Sequence, residues 1–263
     1  MILNTMVNLK NITMNHKELF LYVIKEGEVS RMIGIIGAME EEVAAIKEYM
    51  EITETRSILD CTFYQGTIKE RQVVLLQGGV GKVNAAICTT LLLTNYKIDY
   101  VINIGSAGGL CLTQEVGDIV ISNEVCQYDF DITAFPNRVI GEVPGLPPRI
   151  EADRQLITQA KTILSNLNLN CEIGLIVSGD QFVATPEVAT RIKNNFPDAK
   201  CTEMEAAAIA QTCYKFGTSF IITRSLSDVF GKGDSSVQFD EYLKKASQAS
   251  AKMCIALIAE TEH

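Results

Sequence analysis

From Met32 onward, short runs rich in Val, Ile and Leu alternate with stretches whose apolar residues recur every three or four positions. The runs MIGIIG, CTFYQGTI, RQVVLLQG, DYVINIG, DIVISNEVCQY, CEIGLIVSGD and TSFIITRSLSD predict strands, the second and third (61–68 and 71–78) as an antiparallel pair. Unbroken Val/Ile runs suit a sheet covered on both faces. Between them EEEVAAIKEYM, GKVNAAICTTLLLTNYK, EADRQLITQAKTILSNL, PEVATRIKNNF and EMEAAAIAQTCYKFG predict helices. The last segment, FDEYLKKASQASAKMCIALIAE, puts Phe239, Tyr242, Leu243, Ala246, Ala249 and Met253 on one helix face. The alternation predicts an α/β fold, a three-layer sandwich whose mixed, mostly parallel central sheet is flanked by helices. No repeat or linker divides residues 32–263, which read as a single domain. Residues 1–31 are mixed in polarity and precede a second possible start at Met32. They are expected to be a poorly ordered N-terminal extension.

Composition narrows the chemistry. The 263 residues carry a net charge of −9, which argues against nucleic acid or an anionic membrane surface as partner. A small neutral or cationic substrate is easier to reconcile with that field. No apolar run is long enough to span a bilayer. None of the eight cysteines forms a C-x-x-C pair and most lie in apolar segments, so buried free thiols in a reducing, cytoplasmic compartment are expected. The only histidines, His16 and His263, sit near the termini. That leaves no basis for a His-centred triad or a His-ligated metal. Acid–base work must fall to Asp, Glu, Lys or Tyr, and neither metal nor cofactor is expected.

In such sheets ligands bind beyond the carboxyl ends of the strands. After MIGIIG comes AMEEEV, a turn loaded with Glu40, Glu41 and Glu42 where a phosphate site would want backbone N–H groups and a cation. Other strand ends offer Ser106, Ala107, Gly108 and Gly109, then Gln181, Phe182 and Val183, then Met204 and Glu205, and finally Asp228. That inventory suits an apolar, aromatic, hydroxylated molecule. GGVGKV (78–83) resembles a P-loop, but Lys82 is followed by Val83 and the glycine spacing is wrong, so it reads as a helix N-terminus. Glu40 and Glu41 suit the helix dipole, and local sequence leaves Glu42, Glu203 and Glu205 open between dipole and site. Phe182, Met39 and Met204 could equally fill the core, and Asp228 could cap the following loop. The residues alone stop at a small-molecule site with paired carboxylates, in a hydrolase or a transferase.

Taken together, IGIIGAMEEEV, INIGSAGGL, VGDIVIS, GLIVSGDQF, TEMEAAAIA and SDV resemble the 5′-methylthioadenosine/S-adenosylhomocysteine nucleosidases. The likeness runs in order from about Met32 to the C-terminus. It implies a nucleoside phosphorylase-like fold and cleavage of adenine from ribose by water. It would make Glu42 the base that activates water and Asp228 the acid that protonates adenine N7, held with help from Ser227. Glu205 would bind the ribose hydroxyls with Met204 on the sugar face. Phe182 would stack on adenine while the Val183 backbone reads its edge. Ala38 and Met39 would shape the water pocket, and Ser106, Ala107, Gly108 and Glu203 would line the site. Phe135 and Pro144 match positions given by a neighbouring subunit, which implies a homodimer with a shared site. The intervening PNRVIGEV carries Arg138 and is longer and more charged than the family pattern. Three alternatives stay open: phosphorolysis, which needs cations at the strand ends, a non-catalytic nucleoside binder, and hydrolysis of a related nucleoside such as aminodeoxyfutalosine.

Overall fold

The computed structural model describes residues 31–167 and 169–260. The expectation for residues 1–31 therefore falls, except for Arg31, outside the described residues. Strand β1 (Met32–Gly37) is buried along its whole length, so its alternate residues serve two cores. Met32 and Ile36 join Val74, Leu76, Ala85, Cys88 and Leu92, while Ile33 and Ile35 join Val73, Leu75, Val43 and Ile46. Helices α2 (Lys82–Asn95) and α5 (Ala206–Phe216) cover the first face. Helices α1 (Glu40–Lys47), α3 (Arg154–Asn166) and α6 (Ser235–Glu260) cover the second. The remaining described helix, α4 (Pro186–Asn195), packs in a smaller third cluster through Ala189 and Ile192. Each fully buried Ile, Leu or Val contributes roughly 1.5–3 kcal/mol, so this two-faced burial is the main force holding the sheet in place.

The sheet is mixed, with parallel pairs at its centre, as the apolar runs predict. Strands β2 (Glu51–Ile58), β3 (Cys61–Ile68) and β4 (Arg71–Gln77) form an antiparallel edge beside β1. Next come β5 (Ile98–Asn103) and β11 (Ser219–Val229), both parallel. Beyond them lie β6 (Ser106–Gly109), β10 (Ala199–Glu203), β9 (Cys171–Ser178), β7 (Ile119–Gln127) and the two-residue β8 (Ile150–Glu151). Strand β11 changes partner along its length. Ser219–Ile222 pairs with β5, Thr223–Ser225 runs antiparallel to β7, and Ser225–Val229 runs parallel to β6. Because β7 also closes back through β9, the far half of the sheet curls into a ring.

Three features depart from the sequence reading. Ser106–Gly109, at the end of β5, is itself a short strand, because its backbone bonds to both β10 and β11. The strand β2 carries no apolar signal, since EITETRSI is exposed almost throughout and is held by pairing to β3. The cysteines are not all free. Cys61 on β3 and Cys88 on α2 form a disulfide with their Cα atoms 6.0 Å apart. Sheet and helix bring these two positions into one core cluster, which no local spacing announces. Cys126, Cys201, Cys213 and Cys254 are free and buried as expected, whereas free Cys111 and Cys171 are only half-buried. Among the described residues no helix is long and apolar enough to cross a membrane.

Candidate active site

The carboxyl ends of β1, β5, β10 and β11 open into one cavity of about 230 Å³. Ala38, Met39, Glu42, Ser106, Ala107, Gly108, Phe182, Glu203, Met204, Glu205, Ser227 and Asp228 line it, and among the described residues no Lys or Arg does. Val183, one residue beyond Phe182, is buried behind the wall. Phe135 and Pro144 are exposed and do not line this chain's own cavity. Sequence reasoning did not place Val80, Thr202 and Phe239 here. Phe239 was legible as part of a buried helix face, but its ring meets Phe182 edge-on, with centroids 5.5 Å apart.

Of the three acids that open α1, Glu40 and Glu41 are exposed and only Glu42 is buried. Helical geometry decides this: the third residue of the helix can turn its side chain back over the entering chain. Glu42 Oε2 accepts from the backbone N–H of Ala38 (2.8 Å) and of Met39 (3.1 Å). Its Oε1 accepts from the Ser106 N–H at 3.1 Å and stands 3.4 Å from the Ser106 hydroxyl. A side chain on Gly105 would put Cβ 3.0 Å from Glu42 Oε1 and 3.5 Å from Arg224 Cζ, so glycine is what admits both charges. Every hydrogen bond Glu42 makes is one it accepts, the pattern of a fixed acceptor.

Asp228 lies near the end of β11. Ser227 Oγ donates to its Oδ1 at 2.9 Å, and Ser235 at the start of α6 also hydrogen-bonds it. Burial raises its pKa above the usual carboxylate value, and the Ser235 and Ser227 hydroxyls pull only partly the other way. The site therefore contains one carboxyl group biased toward keeping its proton and another built to accept.

Glu205 caps α5 and accepts from the Gly81 N–H at 2.9 Å. Burial, reinforced by the charge of Glu203, pushes its pKa up to about 8, against the pull of Arg224 and that N–H. Glu203 has both oxygens engaged within the protein. Oε1 accepts from Ser178, and Oε2 accepts from the Glu205 and Ala206 N–H groups and from Arg224 at 2.6 Å. Arg224 also donates to Asn103 Oδ1 at 2.6 Å. Burial works against its charge, and the carboxylates of Glu203, Glu205 and Glu42 outweigh that. Sequence reasoning placed Arg224 merely inside a strand. It is 1% exposed and ties Glu203 to Asn103 beneath the site, though a strand interior carries no mark of that task.

Comparisons with known proteins agree with this geometry. The model of the phosphorylase superfamily matches residues 32–259. A 5′-methylthioadenosine/S-adenosylhomocysteine nucleosidase of Marinomonas sp. (strain MWYL1) is 46% identical over 223 residues, 84% of this chain and 96% of the relative. Among solved structures, the chain is similar to the nucleosidase of that name from Neisseria meningitidis in complex with methylthio-immucillin-A. The TM-score is 0.84 at 41% identity, over 88% of this chain and all of the other. A Colwellia psychrerythraea 34H nucleosidase in complex with adenine gives a TM-score of 0.83 at 41% identity, over 87% and 95% of the two chains.

Proposed function

The chain belongs to the phosphorylase superfamily and, within it, to the 5′-methylthioadenosine/S-adenosylhomocysteine nucleosidases, and from that premise we propose how its residues divide the work. It is an N-glycosyl hydrolase that cleaves 5′-methylthioadenosine and S-adenosylhomocysteine to adenine and the 5-thio-substituted ribose. Adenine leaves poorly as an anion and well once a ring nitrogen is protonated. Asp228, whose protonated form burial favours, supplies that proton at N7. Bond breaking leaves an oxocarbenium-like sugar, as in other glycoside hydrolysis. Glu42, fixed by backbone donors beside Ser106, takes a proton from the attacking water and stabilises the sugar cation. Glu205 accepts from the ribose hydroxyls while Met204 covers the sugar face. Phe182, braced by Phe239, stacks on the base, and the Val183 backbone reads its edge.

The observation that carries hydrolysis over phosphorolysis is the lining itself: four carboxyl groups and, among the described residues, no cation. Arg224, buried close by, is committed to Glu203 and Asn103. The test is to incubate the protein with 5′-methylthioadenosine in phosphate-free buffer and follow adenine by chromatography, then repeat with phosphate. Equal release with free methylthioribose in both buffers is expected. Release only with phosphate, as the sugar 1-phosphate, would overturn the reading, and intact nucleoside in both would point to a binder.

The same proposal includes a homodimer. Phe135 stands 66% exposed beside Val139, and Val80, Val83 and Ile87 expose apolar surface at the start of α2. A partner's Phe135 and Pro144 would close the alkylthio end of the cavity. Light scattering is expected to give twice the 28.9 kDa chain mass. Phe135→Ala is expected to raise KM for 5′-methylthioadenosine about tenfold, one step of roughly 1.4 kcal/mol, with little change in kcat. A monomeric wild type with full activity would sink this part. The cytoplasmic location expected from the cysteines belongs to the same proposal, supported by six free thiols and opposed by the Cys61–Cys88 disulfide.

A further inference from the structure

The lysine of the P-loop-like GGVGKV turn is engaged by the protein's own side chains. Lys82 Nζ bonds Gln127 Oε1 at 2.8 Å and Asp129 Oδ1 at 2.5 Å, and stands 3.9 Å from Asp180 Oδ2. Its side chain is 15% exposed, so the charge is largely withdrawn from water. The three partners come from two separate parts of the chain. Gln127 ends β7, Asp129 follows two residues on, and Asp180 sits in the loop after β9. Backbone groups complete the same knot. The Lys82 N–H donates to Asp180 Oδ1 at 2.8 Å, and the Asp180 N–H donates to Asp129 Oδ2 at 2.9 Å.

This knot lies between two parts of the substrate site. One residue before Lys82, the Gly81 N–H donates to Glu205 Oε1, and Val80 lines the cavity. Two residues after Asp180 comes Phe182, whose loop is tied again by Tyr128 Oη donating to the Gln181 carbonyl at 3.1 Å. Gly179 lies flat on the Tyr128 ring, where a Cβ would come within 2.3 Å of Cζ. Without the ammonium, Asp129 and Asp180 would lose the one cation that both carboxylates approach and keep only the Asp180 N–H bond between them.

We propose that Lys82 is a positioning residue for the nucleosidase reaction. Its ammonium locks the turn that orients Glu205 to the loop that carries Phe182, fixing the spacing between the sugar carboxylate and the base-stacking ring. The inference rests on the assignment of Phe182 to adenine and Glu205 to ribose. Lys82 touches neither substrate nor the reacting atoms. Its removal is therefore felt in binding, while the chemical step run by Glu42 and Asp228 persists once substrate is seated.

The test compares wild type, Lys82→Met, and Lys82→Met combined with Asp129→Asn, reading kcat and KM for 5′-methylthioadenosine and inhibition by free adenine. Lys82→Met is expected to raise KM and weaken adenine about tenfold each, with kcat within about threefold. Adding Asp129→Asn removes the bare like-charge pair and is expected to recover KM to within about threefold of wild type. A kcat loss at unchanged KM overturns the proposal. So does an unchanged KM, or a double variant worse than the single, which is what a merely structural lysine would give. If Lys82→Met yields no folded protein, Lys82→Arg decides. A KM within about twofold of wild type supports a charge latch, and a tenfold rise overturns it. A wild type that neither cleaves the nucleoside nor binds adenine would instead remove the functional assignment on which the inference stands.

Discussion

Asp228→Asn is expected to lower kcat by about a hundred- to ten-thousandfold, the range for losing one positioned proton transfer, and at the same time to make the protein more stable. The two effects have one source. Burial raises the Asp228 pKa, so the folded state binds its proton more tightly than the unfolded chain does. Such a group contributes most stability below the unfolded pKa and loses that contribution as pH rises through the folded pKa. Once the pH has risen through that folded pKa the wild type carries a strained carboxylate, and an amide does not. The neighbours tolerate the exchange, because the Ser227 and Ser235 hydroxyls can turn to donate or accept. A gain of about 1 kcal/mol is typical for such relief and would raise Tm by roughly 2–4 °C. The gap should shrink as pH falls toward 4. Thermal melts of both proteins at pH 4, 6 and 8, beside kcat, check this. An Asn variant that is active, or less stable at pH 8 than at pH 4 relative to wild type, would remove Asp228 from the role of buried acid.

Glu42→Gln is expected to abolish turnover to a similar extent with the opposite effect on stability. Both Glu42 oxygens accept from backbone N–H groups that cannot rotate: Ala38 and Met39 on one, Ser106 on the other. Whichever way the amide is turned, its NH₂ meets a fixed donor. Leaving a buried donor unmet costs about 1–3 kcal/mol, so Tm should fall by several degrees. Two amide substitutions of one atom each, both inactive, would then move stability in opposite directions. A stable, inactive Glu42→Gln would mean that the backbone cradle is looser than the distances imply.

These residues also mark what could be read from the chain. The apolar runs announced the buried strands and the helix faces because burial on both sides leaves a direct trace in residue type. The run of three acids announced a helix start, but only the backbone cradle separates Glu42 from Glu40 and Glu41, and it depends on Ser106, 64 residues away in sequence. The motif likeness picked out Glu42, Asp228, Glu205 and Phe182, all of which the fold brings to one cavity wall. Arg224, Val80 and the Cys61–Cys88 bridge were missed because each depends on partners brought close only by the sheet and the helices on it. Strand β2 was missed for a simpler reason: an edge held by backbone pairing needs no apolar side chains.

Strand β11 has a consequence for synthesis. It carries Arg224 and Asp228, and it fills the gap between β5, β7 and β6, strands made about a hundred residues earlier. Until Ser219–Val229 arrives, β5 and β6 have an open seam and the acid of the site does not exist. Contacts so distant in sequence are slow to close. A ribosome-bound chain stalled before residue 219 would therefore present unpaired strand edges to its neighbours, the condition in which nascent chains aggregate or recruit chaperones.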